Sequence, residues 1–513
     1  MPRINDQRLV IVSTMLATIM QAIDTTIANV ALPHMQGSLS ASSDQITWVL
    51  TSYIVSAAIM TPAVGFVAGR IGRRQLFLFS VAGFTVASGL CGLSQSLDEM
   101  VLFRILQGVF GASLVPLSQA VLLDGYPVHK HGQAMAIWGM GVMVGPILGP
   151  TLGGWLTEWY SWRWVFYINL PFGLLAFAGI WLSVKETETR KVRFDVLGFA
   201  LLGLAIGALQ LMLDRGEQAK WFDSIEIQLE ALVAMLCFYL FVVHSLTRKD
   251  PFVDLELFRD RNFVTGLVFI FVVGIILLAT MALLPPFLQQ WKDYPAVTTG
   301  LVLAPRGFGS LFSMMLVGRL MRTRLDPRLP VVAGLGFVTA SLYLMTGFTL
   351  EVTQAELVWT GILQGLGLGL VFVPASALTY ATLAPRLRTD GTALFSLSRN
   401  LGSSVGISIM TAMLTRNLWI NQQQLGERLN LGALASQHLP GASELGGLPA
   451  TVYHTVAAQA AEISYVNDFR LLMWINLLAI PLVFLLKNTN KARAESEETV
   501  ADRAPAEPAA PGR

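Results

Sequence analysis

Long apolar runs broken by short polar interruptions set the pattern of this chain. Windows of about 20 largely apolar residues, the length a helix needs to cross a hydrocarbon core, recur fourteen times. They fall at roughly 9–33, 45–68, 75–97, 100–123, 134–157, 164–184, 196–213, 227–247, 263–288, 297–318, 329–350, 357–384, 391–415 and 467–486. Two segments break the rhythm. Residues 416–466 read as one long loop, with helical stretches from Gln422 to Leu434 and Thr451 to Ile463 around a Gly- and Pro-bearing linker, Pro440 to Pro449. Residues 487–513, rich in Ala, Glu and Pro, lack the apolar content to bury a core and read as a disordered tail. The expected fold is all-α and polytopic in the membrane.

Composition agrees with that pattern. Of 513 residues, 54% are hydrophobic and 13% charged, against about 25% charged in soluble domains. A soluble fold could not cover itself with so little charge. The net charge of +2 gives no reason to expect a nucleic-acid partner. Cys91 and Cys237 both lie in apolar stretches, and His129 and His131 share a loop without further ligands, so no disulfide, metal or cofactor is expected. The first window lacks a small-residue cleavage site and reads as a retained helix.

Charge does set orientation. An even number of spans puts both ends of the chain on one side. The alternate loops that begin at Arg70 carry eighteen basic residues: Arg70, Arg73, Arg74, Lys130, Lys185, Arg190, Lys191, Arg193, Arg248, Lys249, Arg259, Arg261, Arg319, Arg322, Arg324, Arg328, Arg386 and Arg388. The opposite loops carry far fewer. The positive-inside rule makes the basic side cytoplasmic, together with both termini.

The chain also repeats itself. Ile105-Leu106-Gln107-Gly108 recurs as Ile362-Leu363-Gln364-Gly365, and Gly69-Arg70-Ile71 as Gly318-Arg319-Leu320. The two offsets are similar, which argues for duplication. Spans four and twelve then correspond, eight helices apart, so two helices are inserted between two six-helix halves. The expected organisation is a cytoplasmic N-terminus (1–8), an N-terminal bundle (9–184), two inserted helices (185–247), a C-terminal bundle (248–486) that includes the loop 416–466, and the tail (487–513). Two parallel halves place a substrate site near the midplane between them.

Several strings carry more than topology. After span two comes Gly65-Phe66-Val67-Ala68-Gly69-Arg70-Ile71-Gly72-Arg73-Arg74. Span four holds Arg104-Ile105-Leu106-Gln107-Gly108, and an Arg inside a span must face the bundle and find a partner. Span five sets Gly141, Gly145, Gly149 and Gly153 on one helical face, with Pro146, Pro150 and Gly154 among them. Such a face admits another backbone closely. Span one ends Ile23-Asp24-Thr25-Thr26-Ile27-Ala28-Asn29. Trp162-Arg163-Trp164-Val165-Phe166-Tyr167-Ile168-Asn169-Leu170-Pro171 opens span six, and Ser398-Arg399-Asn400-Leu401-Gly402 lies in span thirteen.

Together these strings resemble the fourteen-helix drug:proton antiporters of the EmrB/QacA type in the major facilitator superfamily, over about residues 5–486. The loop after span two departs from the superfamily pattern at Gly69, where an Asp is usual, so the charged gate built there must be weaker or use other groups. The glycine-proline stretch of span five resembles the antiporter motif of the family's exporters. The long outside loop resembles the EmrB branch, which implies a periplasmic EmrA-like adaptor and an outer-membrane TolC-like channel as partners.

Four charges lie well inside apolar windows: Asp24, Arg104, Arg306 and Arg399. Asp24 is the one acid, and both it and Arg104 fall in the outer half of their spans. Burial favours the neutral acid while a neighbouring Arg favours the carboxylate, a balance suited to loading and releasing a proton. The expected coupling pair is therefore Asp24 and Arg104. Gln21, Asn29, Tyr53 and Gln364, polar groups in apolar helices, are substrate-pocket candidates. No lysine follows a glycine, so the phosphate loop of a primary pump is absent. The expectation is a proton-driven secondary exporter of amphipathic or cationic compounds in the bacterial inner membrane. The alternatives are export of one endogenous metabolite or antibiotic, and, in other classes, a membrane enzyme or a non-transporting receptor.

Overall fold

The computed structural model describes residues 7–127, 130–187, 189, 194–248, 250–321, 325–427 and 450–486. Helices account for nearly all of it. The first six spans are α1 (Gln7–Ser38), the short α2 (Ser43–Ile46), the bent pair α3 (Trp48–Met60) and α4 (Ala63–Ile71), α5 (Arg73–Leu93), α6 (Leu97–Gly111) with α7 (Leu114–Asp124), α8 (His131–Trp159), and α9 (Trp164–Tyr167) with α10 (Asn169–Ser183). Next come α11 (Val196–Arg215) and α12 (Ile225–Thr247). The remaining helices are α13 (Arg261–Pro286), α14 (Ala296–Leu320), α15 (Arg328–Met345), α16 (Gln354–Tyr380), α17 (Arg388–Glu427) and α18 (Ala450–Val483).

Among the described residues twelve helices, counting near-collinear pieces together, are long and apolar enough to span a membrane, and α3 with α4 adds a thirteenth bent by 58°. The bend falls at Thr61-Pro62, where proline removes a helix donor. The fourteenth expected span is α17. Its 40 residues exceed any bilayer, but Arg388, Asp390, Arg399 and Arg416 dilute its apolar content. It packs nonetheless against α13 and α18.

The loop expected at 416–466 is shorter than that. Its two helical stretches are continuations of the flanking spans: α17 runs on to Glu427 and α18 begins at Ala450. Asn421 Nδ2 donates to Ser464 Oγ at 2.9 Å and ties the extensions together. The linker Pro440 to Pro449 and the tail 487–513 lie outside the described residues.

Several apolar clusters hold the bundle together. Two lie among the helices of residues 7–184, one of which also takes in Ala393, and another lies among those of residues 272–475. The largest joins both groups, with Trp138 stacked on Phe372 at 5.7 Å between ring centroids. Along this seam α8 and α14 approach closely, Gly139 against Met314 and Gly307 against Ile147. At the periphery, α11 packs on α3 and α12 packs on α11. Helix α12 keeps its large apolar side chains outward, as a lipid-facing helix does.

Candidate functional site

On α6, Arg104, Gln107, Gly108 and Gly111 fall at spacings of three and four and form the helix's buried stripe. Ser96 caps the helix by accepting from the Glu99 N–H, and Asp98 and Glu99 sit in its first turn, where acids suit the helix dipole. On α1 the buried stripe includes Asp24. The two stripes meet. Asp24 is 0% and Arg104 1% exposed, and Arg104 Nη1 lies 2.9 Å from Asp24 Oδ2.

This pair sits in a polar network lodged in apolar packing. Asp24 Oδ1 accepts from Gln107 Nε2 at 2.8 Å and from Asn169 Nδ2 at 2.9 Å. Arg104 donates from Nε to the Val49 carbonyl at 2.9 Å and from Nη1 to Gln107 Oε1 at 2.8 Å. Asn169 also donates to Ser88 Oγ at 3.0 Å, and Ser88 donates in turn to the Phe166 carbonyl at 2.9 Å. The guanidinium lies over the Tyr53 ring at 4.4 Å and the Phe166 ring at 5.7 Å. Five spans thus converge on one carboxylate. A buried ion pair is tolerated only when further hydrogen bonds satisfy both members, and here three donors serve Asp24. Protonating Asp24 would remove the charge that all three donors are aimed at.

Apolar surroundings single out Asp24 and Arg104 in the sequence, whereas Gln107 and Asn169 lie in motif strings that give them no role by themselves. The signal for Asn169 was an amide at the head of an apolar run. Ser88 and the Val49 carbonyl carry no signal of their own. Of the pocket candidates, Gln21 joins the site's edge by donating to Tyr53 Oη at 3.3 Å. Asn29 does not: it is exposed and folds back on its own helix toward the Thr25 carbonyl at 3.4 Å.

Gln364 is buried on α16 and donates to Thr280 Oγ1 at 3.3 Å. It echoes Gln107, since each glutamine bonds a polar residue on the first helix of its group. The following glycines match as well. A Cβ on Gly108 would meet the Tyr53 carbonyl, and one on Gly365 would collide with the Arg306 carbonyl. Arg306 is 7% exposed and its guanidinium donates to the Leu277 carbonyl at 3.1 Å. Arg399 is half-buried, 3.4 Å from Asn400 Oδ1.

The glycine face of α8 lies against α1. A Cβ on Gly145 would collide with the Ala22 carbonyl, one on Gly149 with Thr26, one on Gly153 would crowd Ile27, and one on Gly141 would meet Met15. Gly154 is off this face, with open space where a side chain would go. Pro146 lies within α8 beside Gly145; Pro150 follows Gly149 in the same helix.

At the basic end, Asp124 makes a pairing that the sequence could not assemble. It pairs with Arg73 and, at 2.6 Å, with Arg388 across the two helix groups. Arg73 also donates to the Pro385 carbonyl at 3.0 Å. Gly65 leaves room for Asp390 of α17, and Gly72 has φ +92° and faces Glu186. Nothing lies where a side chain on Gly69 would project, and the acid that pairs with Arg73 comes instead from Asp124 of α7. Arg74 lies over Trp181 at 5.0 Å, and Arg70 is exposed.

An all-helical membrane bundle with a charged network buried between spans one and four, a glycine seam on span five and a charged gate at one end defines a transporter of the major facilitator type. The chain belongs to the Major Facilitator Superfamily, whose sequence model matches residues 14–407, and within it to the EmrB type. It is 35% identical over 483 residues to the fatty acid resistance protein FarB of Neisseria gonorrhoeae, covering 92% of this chain and 94% of that one. It is 37% identical over 419 residues to the multidrug export protein EmrB of Escherichia coli, covering 81% of each. Among solved structures, the human organic anion transporter MFSD10 (TETRAN) matches with a TM-score of 0.57 at 14% identity, over 91% of this chain and 99% of that one. At that identity the likeness concerns the fold.

Proposed function

We propose that this protein is a multidrug efflux transporter, a secondary antiporter that exports amphipathic or cationic organic compounds across the bacterial inner membrane in exchange for protons. The observation that carries this reading is Asp24, a carboxylate sealed between spans with Arg104 as its counter-ion. Each proton moving inward gains about 2.3 kcal/mol per 100 mV, and a buried carboxyl at this position is the means to use it. Loading Asp24 weakens its hold on Arg104 and Gln107 of α6 and Asn169 of α10. The helices are then free to rearrange. The Gly145–Gly153 face joins Asp24's own helix to α8, and α8 lies on the seam with α14, so a shift of α1 has a mechanical route to the other group of helices.

The basic end is the cytoplasmic side in this reading, and both termini lie there. The names of the relatives support resistance by export, and the EmrB likeness supports work with an EmrA-like adaptor and a TolC-like channel. No chemistry on the substrate is required, so the protein acts as a transporter and not as an enzyme. The test is substrate-linked proton movement in proteoliposomes, using ethidium as a cationic probe. With ethidium loaded inside, its exit should acidify the lumen, and Asp24→Asn should lose that acidification.

One observation favours a second reading of the substrate. Arg306 is buried with a carbonyl and no acid partner among the described residues, and a guanidinium cannot shed its charge by losing a proton. An anionic headgroup would complete it. Competition of dodecanoate with ethidium, abolished in Arg306→Gln, is the result this reading expects.

A further inference from the structure

The last helix holds a second buried acid that the coupling network does not use. The apolar window for span fourteen began at 467, which left Asp468 at its edge; the observed helix begins at Ala450 and buries it. Asp468 is 1% exposed, and among the described residues neither carboxyl oxygen has a hydrogen-bond partner. Its polar neighbours on α18 each reach another helix, although Asn476 Oδ1, like the Asp468 oxygens, has no partner among the described residues. One turn earlier Ser464 accepts from Asn421 of α17 at 2.9 Å. Two turns later Asn476 Nδ2 donates to the Leu335 carbonyl at 2.8 Å and to Thr339 Oγ1 at 2.7 Å, both on α15. The face therefore has partners above and below Asp468 and none at it.

The surroundings are apolar. Tyr465 and Phe469, on either side of Asp468, belong to the cluster that includes Phe287 and Phe348. Ring centroids lie 5.1 Å apart for Phe287–Tyr465 and 6.2 Å for Phe348–Phe469. The elements packed on α18 are α13, α15, α17 and the turn Phe287–Trp291.

Their ionisable groups leave Asp468 without a counter-ion. Helix α13 carries only Arg261, at its far end. Helix α15 carries Arg328 at its start and Tyr343, which is 65% exposed. On α17, Arg388 pairs with Asp124 and Asp390 faces Gly65, both at the basic end. Arg416 and Glu427 are exposed. By the register of Asn421 with Ser464, Arg399 lies about 27 Å below the level of Asp468. Lys292, after the turn, donates to the Leu350 carbonyl at 2.6 Å. On α18 itself Glu462 accepts from the Leu350 N–H at 3.1 Å and Arg470 is exposed.

A carboxylate stripped of water and of donors is costly, and taking a proton removes that cost. We infer that Asp468 is a second proton-binding carboxyl of the transport cycle, holding its proton while α18 stays packed and releasing it to water when the outer turns of α18 part from α15 and α17. The inference rests on the reading of the protein as a proton-coupled exporter. Asp468 lies two turns beyond Asn476, level with the last turn of α15, so a modest opening on the side away from the termini would admit water. On release the O–H bond breaks, the proton passes to water, and the carboxylate is hydrated. Repacking reverses each step.

The test uses the full-length protein in proteoliposomes loaded with a pH dye, ethidium as the transported probe, and infrared difference spectra between acid and alkaline pH. The wild type should show a protonated-carboxyl band that Asp468→Asn removes, and the variant should move fewer protons per ethidium. A spectrum and proton count in Asp468→Asn identical to the wild type would overturn the inference. Should that variant fail to assemble, Asp468→Glu replaces it: its band must shift, and an unshifted band overturns the inference equally. Wild-type protein that transports ethidium without moving protons removes the coupled-exporter reading and this inference with it. Wild-type coupling with an unaltered Asp468→Asn removes Asp468 alone.

Discussion

Thr26 Oγ1 donates a hydrogen bond to the Gly145 carbonyl at 3.1 Å, across a contact where α1 and α8 approach too closely for a side chain at Gly145 or Gly149. The bond sits two residues from Asp24. Position along α1 thus sets the glycine seam beside Asp24, and a change that separates the two helices is expected to disturb the Asp24–Arg104 pair.

Gly149→Leu should therefore abolish drug resistance while the protein remains inserted, because the larger side chain collides with Thr26. Gly154→Leu is the control, since its side chain would enter open space. Resistance assays at equal membrane expression check both. Wild-type resistance in Gly149→Leu would refute the seam.

The gate at the basic end makes a separate prediction. Asp124 holds Arg73 and Arg388 together but is one-third exposed, so solvent screens much of the attraction. Asp124→Asn should weaken closure of that end by about 1 kcal/mol, a roughly fivefold shift in the ratio of closed to open states. Thiol labelling of a single cysteine placed at the gate, with and without the substitution, measures that ratio.

Asp195, just before α11, gives a pH prediction outside the spans. Burial pushes its carboxyl up, but the Gly198 N–H, His244 and Arg248 together push it further down, leaving it below the usual carboxylate range. A depressed folded-state pKa contributes stability above the unfolded value, and that stability is lost as pH falls through the folded value. Docking of α12 on α11 should thus weaken as pH falls through the acid range. Asp195→Asn should remove the acid dependence, as read by thermal unfolding across pH.

Replacing residues 428–449 with a flexible linker should spare transport in proteoliposomes yet impair resistance in a cell that requires the adaptor. The replacement keeps the helical extensions tied by Asn421 and Ser464. Equal loss in both assays would mean that this segment serves the transport core.

Much of this was legible in the chain because membrane helices announce themselves by length and apolarity. Asp24 and Arg104 stood out for the same reason, as charges where charges are costly. What the sequence could not supply was pairing between distant segments. Asp124 reads as an ordinary helix-end acid until Arg388, 264 residues away, is brought beside it. Asp468 was missed for a different reason: an apolarity window cannot tell where a helix begins when its first turns are amphipathic. Asn29 shows that a polar residue on an apolar helix can also bond its own backbone, which the sequence does not distinguish from a pocket role.

The most direct test of the central claim is proton movement by Asp24→Asn. The amide keeps the shape and most hydrogen bonds of the site but cannot carry the charge that Arg104 holds. In proteoliposomes with a pH dye inside, the account predicts that ethidium drives proton movement in the wild type and none in Asp24→Asn, while ethidium binding persists. Proton exchange at the wild-type rate in Asp24→Asn would contradict it and reduce Asp24 to a member of a structural ion pair.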